Sequence, residues 1–173
     1  RGRAALLALL LPCLAAADTA VEVVVDASAS MGEPLEGART RLAAAAAALN
    51  AVVAALPAGD PGLVVGLRVN GGAVPWSAPG ACDDTSLRVA PAPSSAPELV
   101  AALAGLRSGG ADLAARSIQR AAVDLAAFEG RRLMVLVTDG DAGGCEGDWA
   151  AAAEALQASS ADLWVVGGGL GEA

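Results

Sequence analysis

The chain has 173 residues, 55% of them hydrophobic, and a formal charge of −8; that length supports one domain with a core of its own, and one domain is the expectation. Histidine, lysine and tyrosine are absent, which excludes imidazole bases, Schiff-base amines and phenolic acids, so any catalysis falls to carboxylates, hydroxyls, cysteine or a metal. The acidic balance lacks the basic footprint that nucleic acid or an anionic membrane demands, and favours a cationic partner or a bound divalent ion.

The chain opens on Arg1-Gly2-Arg3, runs through an apolar stretch from Ala4 to Leu14 and reaches Ala15-Ala16-Ala17 before Asp18. A basic start, a short apolar middle and a small-residue end read as a signal peptide over residues 1–17, with a buried N-terminal helix as the rival reading. The stretch is short for a membrane span, and no later segment offers one. Pro12 stands where a lipobox before Cys13 takes a small residue, so no lipid anchor is expected. Residues 18–173 then form the mature domain, with nine arginines against nineteen acids, a charge of −10, and two cysteines. In an oxidising compartment Cys82 and Cys145 are expected to pair rather than stay free.

Val21-Glu22-Val23-Val24-Val25 reads as a strand buried on both faces of a parallel sheet, ending at Asp26. Leu35 to Leu56 is alanine-rich with Leu42, Leu49, Val52, Val53 and Leu56 at helical spacing, which predicts a long first helix stopped by Pro57 to Gly62. Leu63–Val69 is the second strand. Ser86–Ala90, ended by Pro91 and Pro93, follows it too closely for a helical crossover and is expected as an antiparallel edge strand. Short helices are expected over Pro97–Leu106 and Leu113–Phe128, a strand over Leu133–Thr138, a helix over Trp149–Ala158 and a last strand over Asp162–Val166. The alternation predicts an α/β doubly wound, mostly parallel sheet with helices on both faces.

Such sheets bind ligands at the carboxyl ends of their strands, where Asp26 and Asp139 both stand. Asp26-Ala27-Ser28-Ala29-Ser30 puts three oxygen-bearing side chains at alternate positions, which in an extended loop point to one side. A carboxylate with two hydroxyls is a hard donor set, suited to Mg²⁺, Mn²⁺ or Ca²⁺ and poorly suited to Zn²⁺. The rival reading is a strand terminus and helix cap without metal.

The Asp-x-Ser-x-Ser pattern of Asp26, Ser28 and Ser30, followed by Met31-Gly32, resembles the metal-ion-dependent adhesion site of von Willebrand factor A and integrin I domains. Val137-Thr138-Asp139-Gly140 resembles the second acidic loop of that family. The likeness runs from about Val21 to Gly169 and is closest to bacterial secreted or envelope members. It implies a metal held by Asp26, Ser28, Ser30 and Asp139, a partner carboxylate completing the coordination, no enzymatic activity, and a further helix and strand beyond Gly169. One position departs. The family places a threonine ligand after a Gly-Gly-type turn, whereas this chain reads Gly109-Gly110-Ala111-Asp112. Ala111 cannot ligate; Asp112 is left either to substitute or to cap the following helix.

Two other functions are open to the same residues. One is a metal-free structural scaffold in an envelope assembly. The other is a Mg²⁺-dependent phosphohydrolase with Asp26 as nucleophile, disfavoured because Ser28 stands where such enzymes carry a second acid and because no lysine is present. Trp76 and Trp149 read as partly buried packing, with a ligand surface as the rival reading, and Asp83, Asp84, Asp141, Glu146 and Asp148 as solvated acidic loops that would strengthen cation binding near the site.

Overall fold

The computed structural model describes residues 17–35, 39–57, 59–140, 145 and 147–167. The expected leader, apart from Ala17, lies outside them, as do Asp141, Glu146 and everything after Gly167.

Five strands form one sheet: β1 (Thr19–Asp26), β2 (Leu63–Asn70), β3 (Thr85–Ala92), β4 (Arg131–Thr138) and β5 (Asp162–Gly167). Their order is β3-β2-β1-β4-β5. All neighbours are parallel except β3, which pairs antiparallel with β2. The α/β, mostly parallel architecture with one antiparallel edge is therefore the observed one. The helices are α1 (Arg41–Ala55), α2 (Ala96–Ala104), α3 (Ala114–Leu125) and α4 (Trp149–Ser159).

The two-residue period of the strands sorts their side chains onto two cores. On one face Ala20, Val24, Val64, Met134 and Leu136 pack with Ile118, Ala121 and Leu125 of α3 and Ala152 of α4. On the other, Val25, Val65, Leu67 and Val69 pack with Leu42 and Val53 of α1 and Leu99 and Leu103 of α2. Both faces are covered, so β1 reads as nearly continuous apolar sequence. Its exception is Glu22, fully buried. Glu22 Oε1 accepts a hydrogen bond from Arg68 Nε on β2 at 2.9 Å, and Arg68 also pairs with Asp124 of α3.

Several boundaries differ from the expected ones. The first helix does not begin at Leu35: Pro34 bridges to Thr40, and α1 starts at Arg41 with the Thr40 hydroxyl accepting from Ala43 N. A threonine cap decides the start, which an alanine run with no entry signal of its own leaves undefined. Strand β3 runs on through Pro91, where an irregular register opposite Val65–Leu67 and the bare Gly66 make room for the ring; a Cβ on Gly66 would stand 2.7 Å from Pro91 Cγ. Proline is tolerated there because β3 is an edge. Trp76 and Trp149 are more exposed than packing residues would be, at 64% and 56%, and Trp149 lines a surface cleft. Among the described residues, no helix is long and apolar enough to cross a membrane.

Candidate functional site at the carboxyl ends of strands β1 and β4

Asp26 closes β1 and Asp139 follows directly on β4, so the sheet brings the two acids side by side at its carboxyl edge. The segment between Asp26 and Ser30 is not extended throughout. Ala29 is helical (φ −59°, ψ −37°) and Ser30 opens a 3₁₀ turn, Ser30–Gly32. Convergence comes instead from a tight turn in which Asp26 Oδ1 accepts from Ser28 N at 2.8 Å. The Ser28 and Ser30 hydroxyl oxygens lie 3.0 Å apart, and Ser30 Oγ donates to Asp139 Oδ1 at 3.2 Å. The four residues named from the sequence thus form one hydrogen-bonded set, which Asp26 joins through the Ser28 backbone N–H.

A third loop completes the setting. Ser28 makes a bridge with Gly110, with Ala29 N donating to Gly110 O and Gly109 N to Ala27 O. Gly110 is packed against the backbone of Gly71, itself at φ +67° and against the backbone of Ala111, so this close approach leaves no room for a Cβ on either glycine. The contact places Asp112 beside the acids. Asp112 Oδ1 accepts from Ala114 N at 3.0 Å, which orders the entry to α3, yet its carboxyl also feels Asp26 and Asp139. Asp112 thus orders the turn that leads into α3, although Leu113 and not Asp112 is the capping residue, and it lies within electrostatic reach of the two acids. Ala111 is 3% exposed and supplies no donor.

Burial and mutual repulsion both act on the acids of the site. Burial pushes the Asp112 carboxyl up to about 6, with the neighbouring charges of Asp26 and Asp139 adding to the rise. Asp26, fully buried, is also raised by burial, against hydrogen bonds from Ser28 and Thr138 that hold it down. Among the described residues no three of Cys, Asp and Glu gather into a metal-binding group, so a metal here must use the hydroxyls. Their chemistry fits a hard divalent ion: the Ser28 and Ser30 hydroxyls and the Asp139 carboxylate are oxygen donors gathered at one point, and these residues would hold the ion.

Two contributors were not singled out from sequence. Thr138 donates its hydroxyl to Asp26 Oδ2 at 2.8 Å and accepts from Gly140 N at 3.0 Å, locking the β1 and β4 ends together. Arg41 donates from Nη1 to Asp139 Oδ2 at 2.7 Å while its Nη2 lies 3.0 Å from Glu33 Oε2. The sequence carried no signal for Arg41, because a helix expected from Leu35 hides that Arg41 is the first residue of α1, where the helix dipole favours an acid.

Cys82 and Cys145 form a disulfide with a Cα–Cα distance of 5.7 Å. It borders a cleft of about 350 Å³ with Asp112, Arg116, Asp148 and Trp149, of which Asp112 alone is shared with the candidate metal-site residues. The neighbouring acids are not simply solvated. Asp83 pairs with Arg116, Asp84 Oδ2 accepts from Ala73 N and Val74 N at 2.7 Å each, and Asp148 caps α4 through Ala151 N at 2.9 Å.

No protein-family model matches the chain, and no curated protein matches it. Among solved structures, a von Willebrand factor type A protein from Catenulispora acidiphila aligns at 21% identity and a TM-score of 0.58, over 87% of this chain and 33% of that one. Proximal thread matrix protein 1 from the mussel byssus aligns at 13% identity and a TM-score of 0.60, over 88% of this chain and 36% of that one. The chain spans about a third of the length of each of these structures. The likeness is one of fold: the mixed five-stranded α/β sheet with helices α1 to α4 is consistent with the von Willebrand factor A fold.

Proposed function

We propose that the domain is an extracytoplasmic protein-recognition module whose site takes a divalent cation, Mg²⁺ foremost with Mn²⁺ or Ca²⁺ as alternatives, and through it an acidic residue of a partner protein. The observation that carries the reading is the hydrogen-bonded set of Asp26, Ser28, Ser30 and Asp139 at the carboxyl ends of two adjacent parallel strands. Ser28, Ser30 and Asp139 present hard oxygens, and Asp26 fixes the loop that carries the serines. An ionised carboxylate has about four lone-pair sites; the contacts from Ser28 N and Thr138 Oγ1 use one on each Asp26 oxygen. Asp112 adds negative charge from the third loop in place of the missing threonine. When bound, the ion supplies a coordination position open to a partner carboxylate.

The same reading assigns no catalysis. Asp26 is fully buried with both oxygens engaged, unlike a nucleophile facing a phosphate, and no lysine stands by. The disulfide supports an oxidising compartment, hence a secreted or periplasmic setting. A metal-free scaffold is the second reading, favoured by the buried Ala111 at the ligand position. Calorimetric titration of the purified chain with Mg²⁺ and Mn²⁺, beside a folded Asp26→Ala variant, separates the two. Saturable binding that the variant loses supports the metal-dependent module; no binding, or equal binding by the variant, refutes it.

A further inference from the structure

The site already holds one cation of the protein's own. Asp139 is buried, with 1% of its side chain exposed, and an ionised carboxylate at that depth needs a counter-charge. Arg41 provides it at 2.7 Å, with Nη1 also directed at the carbonyl of Ser30 at 3.4 Å. The oxygens that Arg41 addresses are those of the residues assigned to the metal. Its position on α1 does nothing for the helix, because a cation on the first residue opposes the dipole. What keeps it there is the pair of carboxylates, Asp139 on the buried side and Glu33, 58% exposed, on the solvent side.

We infer that Arg41 is the resident cation of the site and competes with a divalent ion for Asp139. The inference rests on the metal-dependent reading above and adds the control on it. Without a divalent ion, Arg41 neutralises Asp139 and keeps the three loops together. With one, Arg41 gives up Asp139 and keeps Glu33, so that its guanidinium moves to the rim, where the partner's acidic residue approaches. Metal affinity is thereby set below what the oxygen ligands alone would give, and metal occupancy decides whether the arginine faces the core or the partner.

The test titrates Mn²⁺ into the wild-type chain and into Arg41→Gln, Arg41→Lys and the double variant Asp26→Ala/Arg41→Gln, read by calorimetry, with melting temperatures measured in chelator and in saturating Mn²⁺. Removing one positive charge from beside a largely buried site, with the arginine itself 23% exposed, is worth at least about tenfold in divalent-ion affinity. Arg41→Gln is therefore expected to bind Mn²⁺ at least about tenfold more tightly, Arg41→Lys to stay near wild type, and the double variant to lose the gain. In chelator Arg41→Gln melts below wild type, and saturating Mn²⁺ closes that gap. Binding by Arg41→Gln alone, absent from wild type and from the double variant, overturns the metal-dependent reading of the wild-type chain and with it the competition, leaving Arg41 as a permanent occupant of the site. Asp26-dependent binding that is unchanged or weaker in Arg41→Gln overturns the role of Arg41 and leaves the metal site standing. No Asp26-dependent binding in wild type or in Arg41→Gln overturns both.

Discussion

Replacing Glu22 by glutamine asks whether burial or the neighbouring arginine governs a fully buried acid of the central strand. Burial raises Glu22 from 4.5 to about 7, with Asp124 adding to the rise and the Arg68 guanidinium working against it. A shift of that size is worth about 3 kcal/mol. The folded state keeps its proton where the unfolded chain releases it, so the folded state binds more protons and stability falls as pH rises. The stability tied to Glu22 is complete below pH 4.5 and is lost as pH passes through about 7. Glutamine imitates the protonated acid and keeps an acceptor for Arg68, which also retains Asp124. Urea unfolding of wild type and Glu22→Gln at pH 4.5 to 8 should therefore give curves that nearly meet at the acidic end and separate by up to about 3 kcal/mol in favour of glutamine at the other. Asp26 and Asp112 contribute slopes of the same sign, but these cancel in the difference. A glutamine variant less stable than wild type at pH 8, or a difference independent of pH, refutes the argument and gives the balance to the Arg68 ion pair.

The disulfide joins residues 63 apart, a loop whose closure entropy in the unfolded chain is worth about 4 kcal/mol. Cys82→Ser/Cys145→Ser should lower the unfolding free energy by that order, and a reductant should lower the wild type toward the double variant without moving the variant itself. Asp112→Asn removes one of three mutually repelling carboxyls while keeping an acceptor for Ala114 N. It should stabilise the metal-free domain at neutral pH in a thermal melt and weaken Mn²⁺ binding in calorimetry; unchanged affinity would confine Asp112 to the helix entry.

What the sequence alone determined was what short-range chemistry and period encode. Apolar β-branched runs alternating with helical stretches specify a parallel sheet covered on both faces, and the close spacing of Leu63–Val69 and Ser86–Ala90 specifies an antiparallel edge. Asp26, Ser28, Ser30 and Asp139 were legible because acids at strand ends fall at the ligand-binding edge of such a sheet whatever the rest of the chain does. Where the sequence reading failed, distant backbone decided. The start of α1 depends on Thr40 and a bridge to Pro34, and the survival of β3 through Pro91 depends on an irregular register against Gly66. The serines converge because the loop turns on Asp26 and is held by Gly110, not because it is extended. Thr138 and Arg41 entered the site through contacts across 112 and 98 residues of chain. Tertiary structure alone made Asp112 both a helix-entry acceptor and an electrostatic neighbour of Asp26, because only packing of Gly110 on Gly71 brings that loop to the acids. The physical reason is common to all of these. Periodicity and propensity act within a few residues, whereas a buried charge takes its partner from whatever element the fold delivers to it.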